Sequence, residues 1–105
     1  MIFRRGRFAD VIARQLDVFA KDETTGLLEE IEDAKRVYDR ADREEAEERY
    51  GDYVDLVEAG TEALADLRDN FATTLDDDGA EAYIDAFNRA VLKRFRRFAL
   101  EIEDR

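Results

Sequence analysis

The 105-residue chain contains no cysteine, no histidine, no proline and no tryptophan. Without Cys there is no disulfide, no thiolate metal site and no sulfur nucleophile. Without His the commonest general base and the commonest transition-metal ligand are missing as well. Serine is absent, and the threonines have no imidazole beside them to activate a hydroxyl. Glycine numbers only 5, so little in the chain interrupts a helix. No run of apolar residues reaches the 18 or so that a membrane-spanning helix needs. The amino terminus is basic, but the apolar stretch after it is broken by Asp10, Arg14 and Asp17, which is no signal-peptide core. The expected location is cytoplasmic.

What is present is charge: 43% of the residues are Asp, Glu, Lys or Arg, and the net charge is −11. It is unevenly spread. Residues 1–20 carry +2, residues 21–60 carry −9, residues 61–88 carry −7 and residues 89–105 carry +3. A chain this acidic opposes nonspecific nucleic-acid binding, although its basic ends form local exceptions.

Apolar residues recur at spacings of three and four along most of the chain, and strand-like alternation is lacking. Phe8, Val11, Ile12, Leu16 and Phe19 predict a helix over 7–22. Leu27, Ile31, Ala34, Tyr38 and Ala41 predict a second over 26–40, with Thr24 or Thr25 as its N-cap. Ala46, Tyr50, Tyr53, Val57, Gly60, Leu64, Leu67 and Phe71 continue the pattern over 44–75, but the step from 41 to 46 shifts its phase. Asp42 with Glu45 spells a capping box, which places a turn there, and Gly51 is a second place to break. The sequence Asp76-Asp77-Asp78-Gly79 marks another turn. Beyond it Ala80, Ile84, Phe87, Val91, Phe95, Phe98 and Ile102 predict a last helix over 79–102. The expected fold is one all-α domain over 1–105, an antiparallel up-down four-helix bundle, with a three-helix elongated hairpin as the alternative.

Two constellations are candidates for chemistry. Glu44, Glu45 and Glu48 spell EExxE, and Asp66 with Asp69 supplies DxxD. The pattern resembles the motif of all-helical nucleotide pyrophosphohydrolases of the MazG and dUTPase type. The resemblance covers only this stretch, with Asp66 where that family has Glu. It implies that the five carboxylates hold Mg²⁺, a hard ion that needs only oxygen ligands. A di-metal site of the ferritin kind is ruled out, because it requires histidine.

The second constellation is cationic. Arg4, Arg5 and Arg7 near the start, and Lys93, Arg94, Arg96 and Arg97 near the end, alternate with Phe8, Phe95 and Phe98, as in segments that bind phosphate-rich surfaces. In an up-down bundle both groups lie at one pole, where the acids of 42–48 can also neutralise them. The leading functional expectation is a noncatalytic interaction or scaffold protein without a cofactor. Val54, Leu56, Ala63 and Leu75 flank the third stripe, and together with it they predict a homodimer through helices three and four. Mg²⁺-dependent hydrolysis and phosphate binding are the two alternatives.

Overall fold

Where the sequence places its turns, carboxylates tie them. In the computed structural model, which describes residues 6–22 and 26–105, Oδ1 of Asp42 accepts from the Glu45 N–H at 3.0 Å. Ala41 is extended, with φ −67° and ψ 143°, so the chain turns where the apolar phase shifts. Gly51, the other expected break, lies inside a helix. At the next turn Oδ1 of Asp76 accepts from the Gly79 N–H at 2.7 Å. Asp76 is therefore the N-cap, and the helix starts two residues before the expected 79. Thr24 and Thr25 lie outside the described residues; Gly26 occupies the N-cap position of the second helix at φ 58°, a left-handed conformation that costs glycine little.

The described residues form five helices and no strand: α1 (Ala9–Ala20), α2 (Leu27–Arg40), α3 (Ala46–Ala72), α4 (Asp77–Arg94) and α5 (Arg96–Ile102). The single helix expected over 79–102 is thus two. It breaks at Phe95, whose φ of −132° and ψ of 68° are not helical. No glycine or proline causes the break, so its origin is tertiary. The Phe98 ring sits against Gly60, where a Cβ atom would come within 2.6 Å of it. Nη1 of the buried Arg68 donates both to Asn88 Oδ1 at 3.0 Å and to the Ile102 carbonyl at 2.8 Å. Asn88 and Ile102 belong to different helices yet share one nitrogen, so α5 must fold back along α4. A continuous helix would carry Ile102 about 21 Å beyond Asn88.

Ring and side-chain contacts give the direction of α1. Phe8 meets Tyr83 near the start of α4, whereas Asp17 meets Arg94 and Phe19 meets Phe95 where α4 ends. Hence α1 runs parallel to α4, and the expected up-down four-helix bundle does not form. The end of α1 instead leads into α2, which pairs with the first half of α3 as a hairpin arm. The second half of α3 packs with α4 and α5. At 27 residues, α3 is about 40 Å long and runs through both parts. The molecule measures 55 × 29 × 25 Å and its radius of gyration is 16.1 Å, against about 13 Å for a compact chain of this length.

The core lies at the end away from the arm. Tyr83, Phe87 and Val91 of α4, Phe98 and Ile102 of α5, and Leu64 of α3 are all fully buried, with Ile12 and Leu16 of α1 against them. Tyr83, rather than Ile84 of the expected stripe, is the central residue, and its hydroxyl donates to Gln15 Oε1 at 2.8 Å. In α2 only Ile31 is buried, and Val37 is 48% exposed. No helix is long and apolar enough to cross a membrane among the described residues.

Candidate functional site

The break at Phe95 creates the most distinctive chemistry of the fold. Arg94 ends α4 whereas Arg96 and Arg97 begin α5, so the elbow separates neighbouring arginines between two helices. Arg94 turns to α1 and pairs with Asp17 at 2.6 Å, while Arg97 turns to α2 and pairs with Glu32 at 2.5 Å. Arg96 stays exposed. Phe95 and Phe98 point inward to Phe19, with ring centroids 5.5 and 5.8 Å away.

Between the elbow, α2 and α3 lies an open cleft of about 590 Å³. Four cations line it, Lys35, Arg94, Arg96 and Arg97, against one carboxylate, Glu32. With Asp17 and Asp39, the partners of Arg94 and Lys35, the four cations meet three carboxylates, which leaves a local excess of one positive charge in a chain of net charge −11. The same cleft has an apolar wall made by Leu28, Tyr53 and Phe95, each half-buried. Three of the cations are paired with acids: besides Arg94 with Asp17 and Arg97 with Glu32, Lys35 bonds Asp39 at 2.9 Å, and that hydrogen bond, reinforced by the carboxylate's charge, raises the lysine pKa. Nη1 of Arg97 is buried with no hydrogen-bond partner, because Glu32 is met by the other terminal nitrogen.

A second, mainly apolar groove of about 360 Å³ runs between α1 and α4. Ile12, Leu16 and the small side chains of Ala13 and Ala90 line it, and Arg89, Lys93 and Arg94 form its charged rim. α1 and α4 leave this space because alanines, rather than larger residues, face one another along it.

Arg7, the described member of the first basic group, is not brought to the second. Arg7 lies over the Phe8 ring, with a terminal nitrogen 3.8 Å from where a Gly79 Cβ would be, at the start of α4. Lys93 to Arg97 are at its other end, about 20 Å away. The parallel course of α1 explains the separation. Arg4 and Arg5 lie outside the described residues. The acids of 42–48 sit at the far tip of the arm, and the partners of Arg94 and Arg97 are instead Asp17 and Glu32.

The five carboxylates expected to hold Mg²⁺ are likewise apart. Glu44 and Glu45 precede α3 and Glu48 is in its first turn, whereas Asp66 is 18 residues farther along the same helix, about 27 Å away. Asp69 accepts from Arg68 Nε at 2.8 Å. Among the described residues no group of three Asp or Glu side chains is close enough to hold a metal ion.

Sequence reasoning did not single out Arg68, Glu32 or Lys35. Arg68 was detectable in principle, since it stands among Leu64, Leu67 and Phe71 on the buried side of the pattern, where a charge needs a partner. The roles of Glu32 and Lys35 depend on the elbow, which has no local signature. Comparison with protein-family models, curated proteins and solved structures gives no match.

Proposed function

We propose that this protein is a noncatalytic interaction module that self-associates, the acidic arm of one copy lying in the α1–α4 groove of another. The observation that carries the reading is the mismatch between the two parts of the molecule. The arm exposes Val37 and Tyr50 and, over residues 27–55, carries a net charge of −7. The groove offers an apolar floor and a rim of Arg89, Lys93 and Arg94. Each is what the other lacks: apolar surface faces apolar surface, and acidic flanks face a basic rim. Two elongated copies side by side and antiparallel satisfy both arms at once, as a two-fold dimer requires. Such a dimer draws on α3 for the arm and on α4 for the groove.

A helix pair standing alone is only marginally stable in water, since its stability derives mainly from packing. Covering the arm therefore stabilises the fold as well as the dimer. Sedimentation velocity over a range of protein concentrations tests the idea. The expected result is a concentration-dependent dimer, with Val37→Asp and Lys93→Glu each weakening it by about tenfold or more, equivalent to about 1.4 kcal/mol. Both side chains are exposed, so folding should be unaffected. A monomer at every concentration would overturn the reading.

A further inference from the structure

We infer that the elbow cleft is a binding site for a small organic anion, one that joins a phosphate or comparable dianionic group to an aromatic or similarly flat apolar part. The inference does not rest on the proposed dimer, although Arg94 lines both the groove and the cleft, and Leu28, Glu32, Lys35 and Tyr53 of the cleft belong to the arm. Three observations converge on it. The cleft has a net excess of positive charge inside a strongly acidic protein, so the charge is local and cannot be a general property of the surface. The cations are of a kind suited to phosphate, since arginine presents a planar fork of donors to its oxygens. The cleft is also mixed in character, with Leu28, Tyr53 and Phe95 lining it beside the guanidinium groups, that of Arg94 lying over the Phe95 ring. A bare inorganic ion would use the cations and leave those apolar side chains in water.

Glu32 then acquires a particular role. Its carboxylate pairs with Arg97 across the cleft and is itself half exposed, at 52%. A carboxylate held this way occupies the position of a ligand anion: it compensates the arginine while the site is empty and swings into solvent when a stronger anion arrives. Nη1 of Arg97 is buried without a hydrogen-bond partner, so this guanidinium has donor capacity that Glu32 does not use. The cleft is lined by no Thr, the only hydroxyl-nucleophile type in this Ser-, Cys- and His-free chain besides tyrosine, so the assignment is binding alone. The site would tie the α2–α3 arm to the elbow through one ligand, because its residues come from α2, α3 and the α4–α5 junction.

The test uses the full chain and three probes in calorimetric titration: 1-naphthyl phosphate, 1-naphthol and inorganic phosphate. The naphthyl ester is expected to bind one site per chain, more tightly than either of its halves, with affinity falling as salt rises. Arg96→Gln and Arg97→Gln should each weaken the ester by about tenfold, in line with loss of a charged hydrogen-bond donor. Glu32→Gln should tighten it several-fold by freeing Arg97, the opposite of what loss of a purely structural ion pair would do. If Arg97→Gln unfolds the chain by circular dichroism, Arg96→Gln, whose side chain is exposed, carries the comparison. The inference is overturned if the ester does not bind, if 1-naphthol or phosphate alone binds as tightly, or if Glu32→Gln leaves affinity unchanged or lowers it.

Discussion

Arg68 and Ile102 are 34 residues apart in the chain, yet the guanidinium of the first donates to the backbone carbonyl of the second at 2.8 Å. The same guanidinium bonds Asn88 of α4 and the neighbouring Asp69. One buried side chain thus fastens α3, α4 and the end of α5. It also places a positive charge at the carbonyl end of α5, which the helix dipole favours.

Replacing Arg68 by Met keeps much of its apolar stem and removes all three bonds. Each hydrogen bond to a charged group contributes about 1.5–3 kcal/mol, and Asp69, being exposed, is resolvated when it loses its partner. The expected net loss in urea unfolding is about 2–4 kcal/mol, with amide exchange over 98–102 accelerating more than over α1. Arg68→Lys should recover only part of it, because an ammonium cannot span the three acceptors in one plane. Uniform exchange rates in α5 and α1 would argue that the elbow stands without Arg68.

Gly60 and Phe98 test why the last helix bends. Alanine in mid-helix normally stabilises by about 1 kcal/mol over glycine. Here an added Cβ would fall 2.6 Å from one ring carbon of Phe98 and 2.9 Å from the next, and the ring is fully buried. Overpacking of that kind costs about 1–3 kcal/mol, so Gly60→Ala should destabilise despite its better propensity. Phe98→Leu makes room at a cost of its own, and Gly60→Ala added to that background should become neutral or favourable. A double-mutant cycle with no coupling between the positions would contradict the socket.

The legibility of the fold follows the range of its causes. The first three helices, the turn at Asp42 and the turn at Asp76 are set by neighbours within five residues, and such signals are in the sequence. The phase shift between Ala41 and Ala46 is a true turn, stabilised by the carboxylate that the spacing had suggested. The bend at Phe95 has no such signature. Residues 91–102 have the composition of a continuous helix, and contacts with Gly60 and Arg68 override it. The direction of α1 was equally hidden, since it is set by contacts of Phe8, Asp17 and Phe19 with Tyr83, Arg94 and Phe95, far along the chain. Both misjudgements bear on the candidate site: the bend gathers Arg94, Arg96 and Arg97 around a cleft, and the parallel α1 sends Arg7 to the other pole.

Tyr83 predicts how stability changes in alkali. Its ring is fully buried and its pKa is raised, first because burial disfavours the phenolate; the nearby charge of Arg68 opposes that shift without cancelling it. A raised pKa means that the unfolded chain releases this proton sooner than the folded one. The contribution is therefore complete below the ordinary tyrosine value of about 10 and is lost as pH rises through and above it. Unfolding measured from neutral pH to above that value should show a fall in stability that Tyr83→Phe removes. The variant should also be weaker at neutral pH, by about 0.5–1.5 kcal/mol for the lost hydrogen bond. An identical alkaline fall in wild type and variant would assign the effect to other groups.

Salt separates two ways in which copies can pair. If two arms met face to face, each with a net charge of −7 over residues 27–55, their repulsion would be relieved by ions and the dimer would strengthen as salt is added. The pairing of arm with groove places those acids opposite Arg89, Lys93 and Arg94, and screening then removes attraction. The screening length falls from about 30 Å at 0.01 M to about 3 Å at 1 M, so the two signs should be easy to distinguish across that range. The expected result is a dimer that weakens with salt towards a plateau, the remainder being the apolar contact of Val37 and Tyr50 with the groove floor. In Lys93→Glu the slope should flatten, while in Val37→Asp the plateau should fall. A dimer that tightens steadily with salt would locate the interface between the arms and leave the α1–α4 groove without its occupant.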